Sequence, residues 1–314
     1  MYNYLPDILR KISVETLFKA ETFQKCWDVW RPNVKHILGP IISEDDIINL
    51  GDRLSNIFKT TGGSGRGQSE LSGGGQAWES LVCWYINLCT VGSRIVAFKK
   101  MSLVPSAIRD AITVNYGNYA CNTESDITVV IFPDSHDYKT DIGQLETRGT
   151  NGKIIPVYKR NKFNTELIDF LIKRDFSQCQ IGIIQCKTNW NDNAQIPMLW
   201  DMIYSAGGFR GRNITIGRNN FSIGQSPNFT YSFVTVPSNQ HDLYRPDTLA
   251  VKRVTNLSGG NYWGQPTLPD VARSLKEIFV NNYNLGFKTT IRADIRTALP
   301  NFSIGLPLDY FRIA

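Results

Sequence analysis

Short unbroken apolar runs and longer stretches of helically spaced apolar positions share this chain. The first sixty residues read as helical. Ser43 followed by Glu44, Asp45 and Asp46 is a helix start, a capping serine with an acidic first turn. Ile47, Leu50, Leu54, Ile57 and Phe58 continue behind it at helical spacing. Glycine then breaks the pattern between residues 62 and 75. Gln76 to Leu88 is an apolar helix with one carboxylate, Glu79. The runs Ser125–Phe132 and Ile181–Lys187 are short and rich in β-branched residues, which predicts two buried neighbouring strands. Further helices are expected over 164–173, 195–206 and 268–283, and a further strand over 229–236. Residues 133–163 are polar and irregular, and 207–228 are rich in Gly, Arg and Asn. Helices around a few central strands make the class α/β, a central mixed β-sheet flanked by helices. The expected organisation is an N-terminal helical region (1–60) packed on the core, a Gly-rich flexible loop (61–75) and a core with recognition loops (76–314). No internal repeat is present.

Composition narrows the class. A chain of 314 residues with 42% hydrophobic and 20% charged residues can bury a sizeable core. The formal charge of +6 suits a polyanionic partner and raises that expectation slightly. No apolar stretch reaches membrane-spanning length, and the N-terminus lacks a signal-peptide pattern, so no membrane partner and a cytoplasmic location are expected. The Asn-x-Ser/Thr triplets at Asn213, Asn228, Asn256 and Asn301 then read as chance. Cys26, Cys83, Cys89, Cys121, Cys179 and Cys186 form no CxxC pair and have no histidine at zinc spacing, which predicts reduced, packed thiols.

Candidate chemistry sits at the two strand ends. Asp126 opens one apolar run, and Gln185-Cys186-Lys187 closes the other. An acid and a lysine on one sheet edge suit Mg²⁺-assisted phosphodiester hydrolysis: the carboxylate holds the metal, and the lysine orients water beside growing negative charge. Glu79 is unusual among large apolar neighbours; it is either paired or metal-bound, or it lies on the solvent face or meets an arginine. The glycine stretch has no following Gly-Lys-Ser/Thr, which argues against a nucleotide-binding P-loop. It is either a linker or a segment that orders on a nucleic-acid backbone. His36, His136 and His241 are scattered, which argues against His-centred hydrolysis.

Asp126, Gln185-Cys186-Lys187 and the preceding-helix Glu79 together resemble the PD-(D/E)XK nuclease superfamily, and within it a Type II restriction endonuclease. The resemblance covers roughly residues 76 to 206 and rests on short, degenerate motifs. Ser125 stands where the family usually has proline, and Gln185 where it usually has Asp or Glu. The resemblance allows two answers to the missing acid. Gln185 is a neutral amide ligand, as in a Gln-x-Lys branch, or the second acid has moved to the next helix. Asp201 lies at that spacing, thirteen intervening residues beyond Lys187, although an exposed helix residue would look the same.

The resemblance implies a restriction-endonuclease-like core and a Mg²⁺-dependent, sequence-specific double-strand DNA endonuclease leaving 5′-phosphate and 3′-hydroxyl ends. Asp126, the Cys186 carbonyl and Asp201 would serve the metal, Lys187 the attacking water, and Glu79 and Asp201 the lysine or a second metal through water. It also implies a prokaryotic homodimer on a palindromic site, with a cognate DNA methyltransferase in the same cell. Asn189, Asn191, Asp192, Asn193 and Gln195, between the Lys187 strand and the next helix, are candidate base readers, because Asn and Gln pair with adenine and Asp accepts from cytosine. The bland reading of the same loop is an Asx-rich turn with Asp192 or Asn193 as helix cap. Arg210 and Arg212, with Arg218, read as a phosphate clamp or as solvated loop arginines. Two rivals stand beside this expectation. One is a repair, recombination or modification-dependent nuclease of the same fold, and the other a non-catalytic nucleic-acid-binding protein on a decayed nuclease fold.

Overall fold

The structure, a computed structural model, describes residues 3–61, 74–121, 125–188, 194–209, 211, 213–236, 246–264, 275, 278, 291–303 and 305–313. The N-terminal region is helical, as expected. Helix α1 (Leu5–Leu17) starts with Pro6 in its first turn, where a missing N–H costs nothing. Helix α2 (Glu21–Leu38) buries Phe23, Trp27, Trp30, Val34 and Leu38 along one stripe. Ser43 opens α3 (Glu44–Leu50) through a capping box: its Oγ accepts from the Asp46 N–H at 3.2 Å, and Asp46 Oδ2 accepts from the Ser43 N–H at 2.9 Å.

The single helix expected through Phe58 is instead interrupted. A 3₁₀ turn, Gly51–Arg53, separates α3 from α4 (Leu54–Lys59). The Tyr85 ring packs on Gly51 where any Cβ would collide, and its hydroxyl donates to the Ile48 carbonyl at 2.6 Å. A tertiary contact therefore overrides the local spacing.

Helix α5 (Gly74–Cys89) begins two residues before the expected Gln76. Its buried residues encircle it, as befits a helix enclosed between a helical layer and a sheet. The sheet has five strands in the order β1 (Ile95–Phe98), β4 (Ile127–Ile131), β9 (Gln180–Lys187), β12 (Phe229–Thr235) and β13 (Asn261–Tyr262). The first two pairings are antiparallel and the last two parallel, so the sheet is mixed as expected. Edge strand β1 is covered rather than left to pair with another chain. Asn87 of α5 donates to the Ala97 carbonyl at 2.9 Å and accepts from its N–H at 3.1 Å. From α1, buried Arg10 donates to the Ser93 and Ile95 carbonyls at 2.7 and 2.8 Å, with Asp7 neutralising it.

Strand alternation sends one set of side chains to each face. Ile127, Val129, Ile184, Cys186 and Val234 join the core shared with α1–α5, which includes the Trp27–Trp84 contact at 4.7 Å between ring centroids. Val130, Ile181, Ile183 and Tyr231 face the other layer, α6 (Ser106–Ile112), α8 (Thr165–Asp175) and α9 (Gln195–Ser205). A small four-stranded sheet stands beside this layer, in the order β10 (Gly208–Phe209), β11 (Ile214–Ile216), β2 (Val114–Tyr116) and β3 (Tyr119–Cys121). The stretch 133–163 holds a one-turn helix, His136–Lys139, and two short hairpins. Beyond β12 come α10 (Leu249–Thr255) and α11 (Arg292–Ala298). Of the helix expected over 268–283, only Leu275 and Ile278 are described, both helical and buried. The glycines at 62–73 lie outside the described residues. Among the described residues no helix is long and apolar enough to cross a membrane.

Candidate active site

Antiparallel pairing of β4 with β9 sets Ile127 opposite Ile184, so the residue before β4 meets the last residues of β9. Asp126 Oδ2 accepts the Cys186 backbone N–H at 2.7 Å, taking the place of a ladder carbonyl. The Lys187 ammonium lies 3.8 Å from the same oxygen. Both side chains keep some contact with solvent, 15% for Asp126 and 26% for Lys187. The geometry therefore brings the two strand-end residues together and leaves them reachable.

A second acid–lysine pair lies at the same end of the sheet. Lys99 directly follows β1, which pairs with β4 through Phe98 and Thr128. Its Nζ is 3.4 Å from Glu79 Oε2, and it also donates to the Gln76 carbonyl at 2.8 Å and Ser80 Oγ at 3.0 Å. Glu79 thus has a cationic partner, a lysine rather than an arginine. Cys186 lies between the pairs. Burial first, then the negative charges of Asp126 and Glu79, push its thiol well above the usual range, so its sulfur stays protonated. Any part it plays is through its backbone. All six cysteines are free, five of them buried; burial pushes Cys83 and Cys179 up to about 12.

The two expected sources of a second acidic function behave differently. Gln185 shares a face of β9 with Lys187 but is fully buried, and its Oε1 accepts from the Tyr231 hydroxyl at 3.1 Å. Asp201 is turned toward the chain between α10 and β13. Its carboxylate takes the Ser258 N–H at 3.0 Å and the Ser258 hydroxyl at 2.7 Å, and Ser258 Oγ accepts from the Tyr231 N–H at 2.9 Å. Asp201 is therefore a brace between α9 and the chain beside β12 in this structure, in contrast to the migrated-acid expectation.

The candidate DNA contacts are only partly visible. Asn189, Asn191, Asp192, Asn193, Arg210 and Arg212 lie outside the described residues. Gln195 is exposed as the first residue of α9. The helix cap of α9 is Ala194, without a side-chain acceptor, in place of the expected Asx cap. Arg218 is held by Asp110, Nε to Oδ1 at 2.6 Å.

Among the described residues no group of three or more His, Cys, Asp and Glu is arranged around one metal position. That disfavours a cage built wholly of side chains, such as zinc or calcium prefers, but it suits magnesium. Mg²⁺ is usually held by one or two carboxylates, with water and substrate phosphate filling the rest of the octahedron. Asp126 supplies such a carboxylate. A strand residue's N–H and C=O leave on the same edge, so the Cys186 carbonyl is on the side of the N–H that Asp126 accepts. Spacing alone did not reveal Lys99 or Tyr231. Lys99 sits in a Lys99-Lys100 pair that reads as solvated surface, and the short strand before it carries no turn signature. Neither protein-family models nor curated proteins give a match to this chain.

Proposed function

We propose that the protein is a Mg²⁺-dependent endonuclease of double-stranded DNA centred on Asp126 and Lys187. The observation that carries this reading is their juxtaposition, 3.8 Å apart at adjoining strand ends and partly open to solvent. Asp126 and the Cys186 carbonyl would hold the metal. Bound there, Mg²⁺ supplies Lewis acidity toward a phosphoryl oxygen and lowers the pKa of a coordinated water. Lys187 offers three N–H donors; it orients the attacking water and stabilises charge that grows in the transition state. Lys99 adds a second cation toward the phosphate, and Glu79 with the Gln76 carbonyl keeps that ammonium in position.

Site specificity of the Type II restriction kind, and a homodimer matched to a palindromic target, form the finer part of the proposal. Support for them is the exposed Gln195 at the start of α9 and the Asn-rich connection from Lys187 in sequence. A non-catalytic DNA-binding role is the second reading. The engagement of Gln185 with Tyr231 and of Asp201 with Ser258 favours it, since neither then supplies a second acidic function.

Digestion of an unmodified plasmid decides between these readings. Discrete fragments with Mg²⁺ and none with a chelator are expected. A smear would keep the nuclease and remove the site specificity. Intact plasmid, with duplex binding retained, would leave the non-catalytic reading.

A further inference from the structure

We infer that the β2–β3 hairpin is an arm that grips the sugar–phosphate backbone of duplex DNA through Tyr116 and Tyr119. The inference rests on the nuclease reading for its partner. Tyr116 and Tyr119 are directly paired across the hairpin, so their rings leave the same face side by side. They are 67% and 65% exposed, among the most exposed large side chains described. Tyrosine joins a wide apolar ring to a hydroxyl, and that hydroxyl is one of the side-chain groups that bond phosphate oxygens.

The surroundings are built for an anion. Residues 113–121 and 207–220, which make up this sheet and its turns, contain three arginines (Arg210, Arg212 and Arg218) and no acidic residue. The first two are counted from the sequence only. The hairpin tip is joined to the arginine-bearing connection by the Gly117 N–H, which donates to the Asn213 carbonyl at 2.8 Å. Asn115 donates to the Gly217 carbonyl at 2.9 Å and to Thr215 Oγ1 at 3.2 Å. Tyr204 of α9 holds the base of the arm, its hydroxyl donating to the Ile112 carbonyl at 2.7 Å. The arm is thus ordered before any partner arrives, which lowers the entropy cost of contact.

Its tether fixes the partner. Seven residues separate Tyr119 from Asp126 along the chain, a span of at most about 25 Å. A duplex repeats about every 34 Å, so the arm reaches the backbone within one helical turn of a phosphate at Asp126.

Anisotropy titration of a short fluorescein-labelled duplex, with a chelator present so that nothing is cut, tests the inference. The Y116A/Y119A protein should bind about tenfold or more weakly, with the slope against salt unchanged because no charge is removed. The Y116F/Y119F protein, lacking only the hydroxyls, should fall between it and the wild type. Melting temperatures should not move, because both side chains are exposed. Equal affinity for wild type and Y116A/Y119A would overturn the arm and leave the nuclease reading standing. Loss of a dimer in sedimentation, without loss of DNA affinity, would also overturn it by making the tyrosines a contact between copies. A wild type that neither binds nor cuts duplex would take down the nuclease reading, and the arm with it.

Discussion

The Cys186 backbone N–H donates to Asp126 Oδ2 at 2.7 Å, tying the end of β9 to the start of β4. This bond does more than join two strands. It fixes the carboxylate beside Lys187, the next residue, and leaves the strand end without an ordinary ladder partner. The acid and the cation are thus held by backbone geometry on rigid elements.

The Asp201–Ser258 contact predicts a stability effect rather than a catalytic one. Asp201→Ala removes two hydrogen bonds to Ser258, and a loss of about 1–3 kcal/mol in unfolding free energy is expected. Cleavage by the folded variant should stay within a few-fold of wild type. Denaturant unfolding and cleavage assays on the same preparation check this. A cleavage loss as deep as that of Asp126→Ala, at unchanged stability, would return Asp201 to the site as the migrated acid.

Glu79 and Lys99 should behave as a unit. Lys99→Ala is expected to slow cleavage about tenfold, equivalent to about 1.4 kcal/mol of transition-state stabilisation. Glu79→Gln should slow it less, because the Gln76 carbonyl and Ser80 hydroxyl still hold the ammonium. Measured in a double-mutant cycle, the two changes should be non-additive. Strict additivity would mean that the pair is only a surface ion pair.

A pH prediction comes from the far end of β1. Burial raises Asp294 from 3.8 to about 6, with Arg10 lowering it and Asp7 raising it further. The folded state therefore binds this proton more tightly than the unfolded chain. The stability it contributes is fully present below about pH 3.8 and is lost as pH rises through about 6. Asp294→Asn should match the wild type in melting temperature near pH 4 and exceed it above pH 6. A difference that stays constant across that window would contradict the assignment.

Local pattern carried the strands and most helices because their burial is written in unbroken apolar runs. Ile181–Lys187 and the run after Asp126 could be read as neighbours for that reason, and Ser43 as a cap because its partner lies three residues away. Long-range contacts were not legible. Gly51 breaks a helix only because Tyr85 arrives from α5, and β1 is four residues long with no turn signature. Asp201 stood at a suggestive spacing, yet spacing along a helix says nothing about a serine that returns from beyond α10. Lys99 joins Glu79 only through the β1–β4 pairing.

The most direct measurement is single-turnover cleavage of a duplex in Mg²⁺ by wild type, Asp126→Asn and Lys187→Ala, with binding to the same duplex measured in parallel. The account predicts that both variants lose far more than tenfold in rate, well beyond about 1.4 kcal/mol, while duplex affinity stays close to wild type. Cleavage within tenfold of wild type by either variant would contradict the assignment of Asp126 and Lys187 as the catalytic pair.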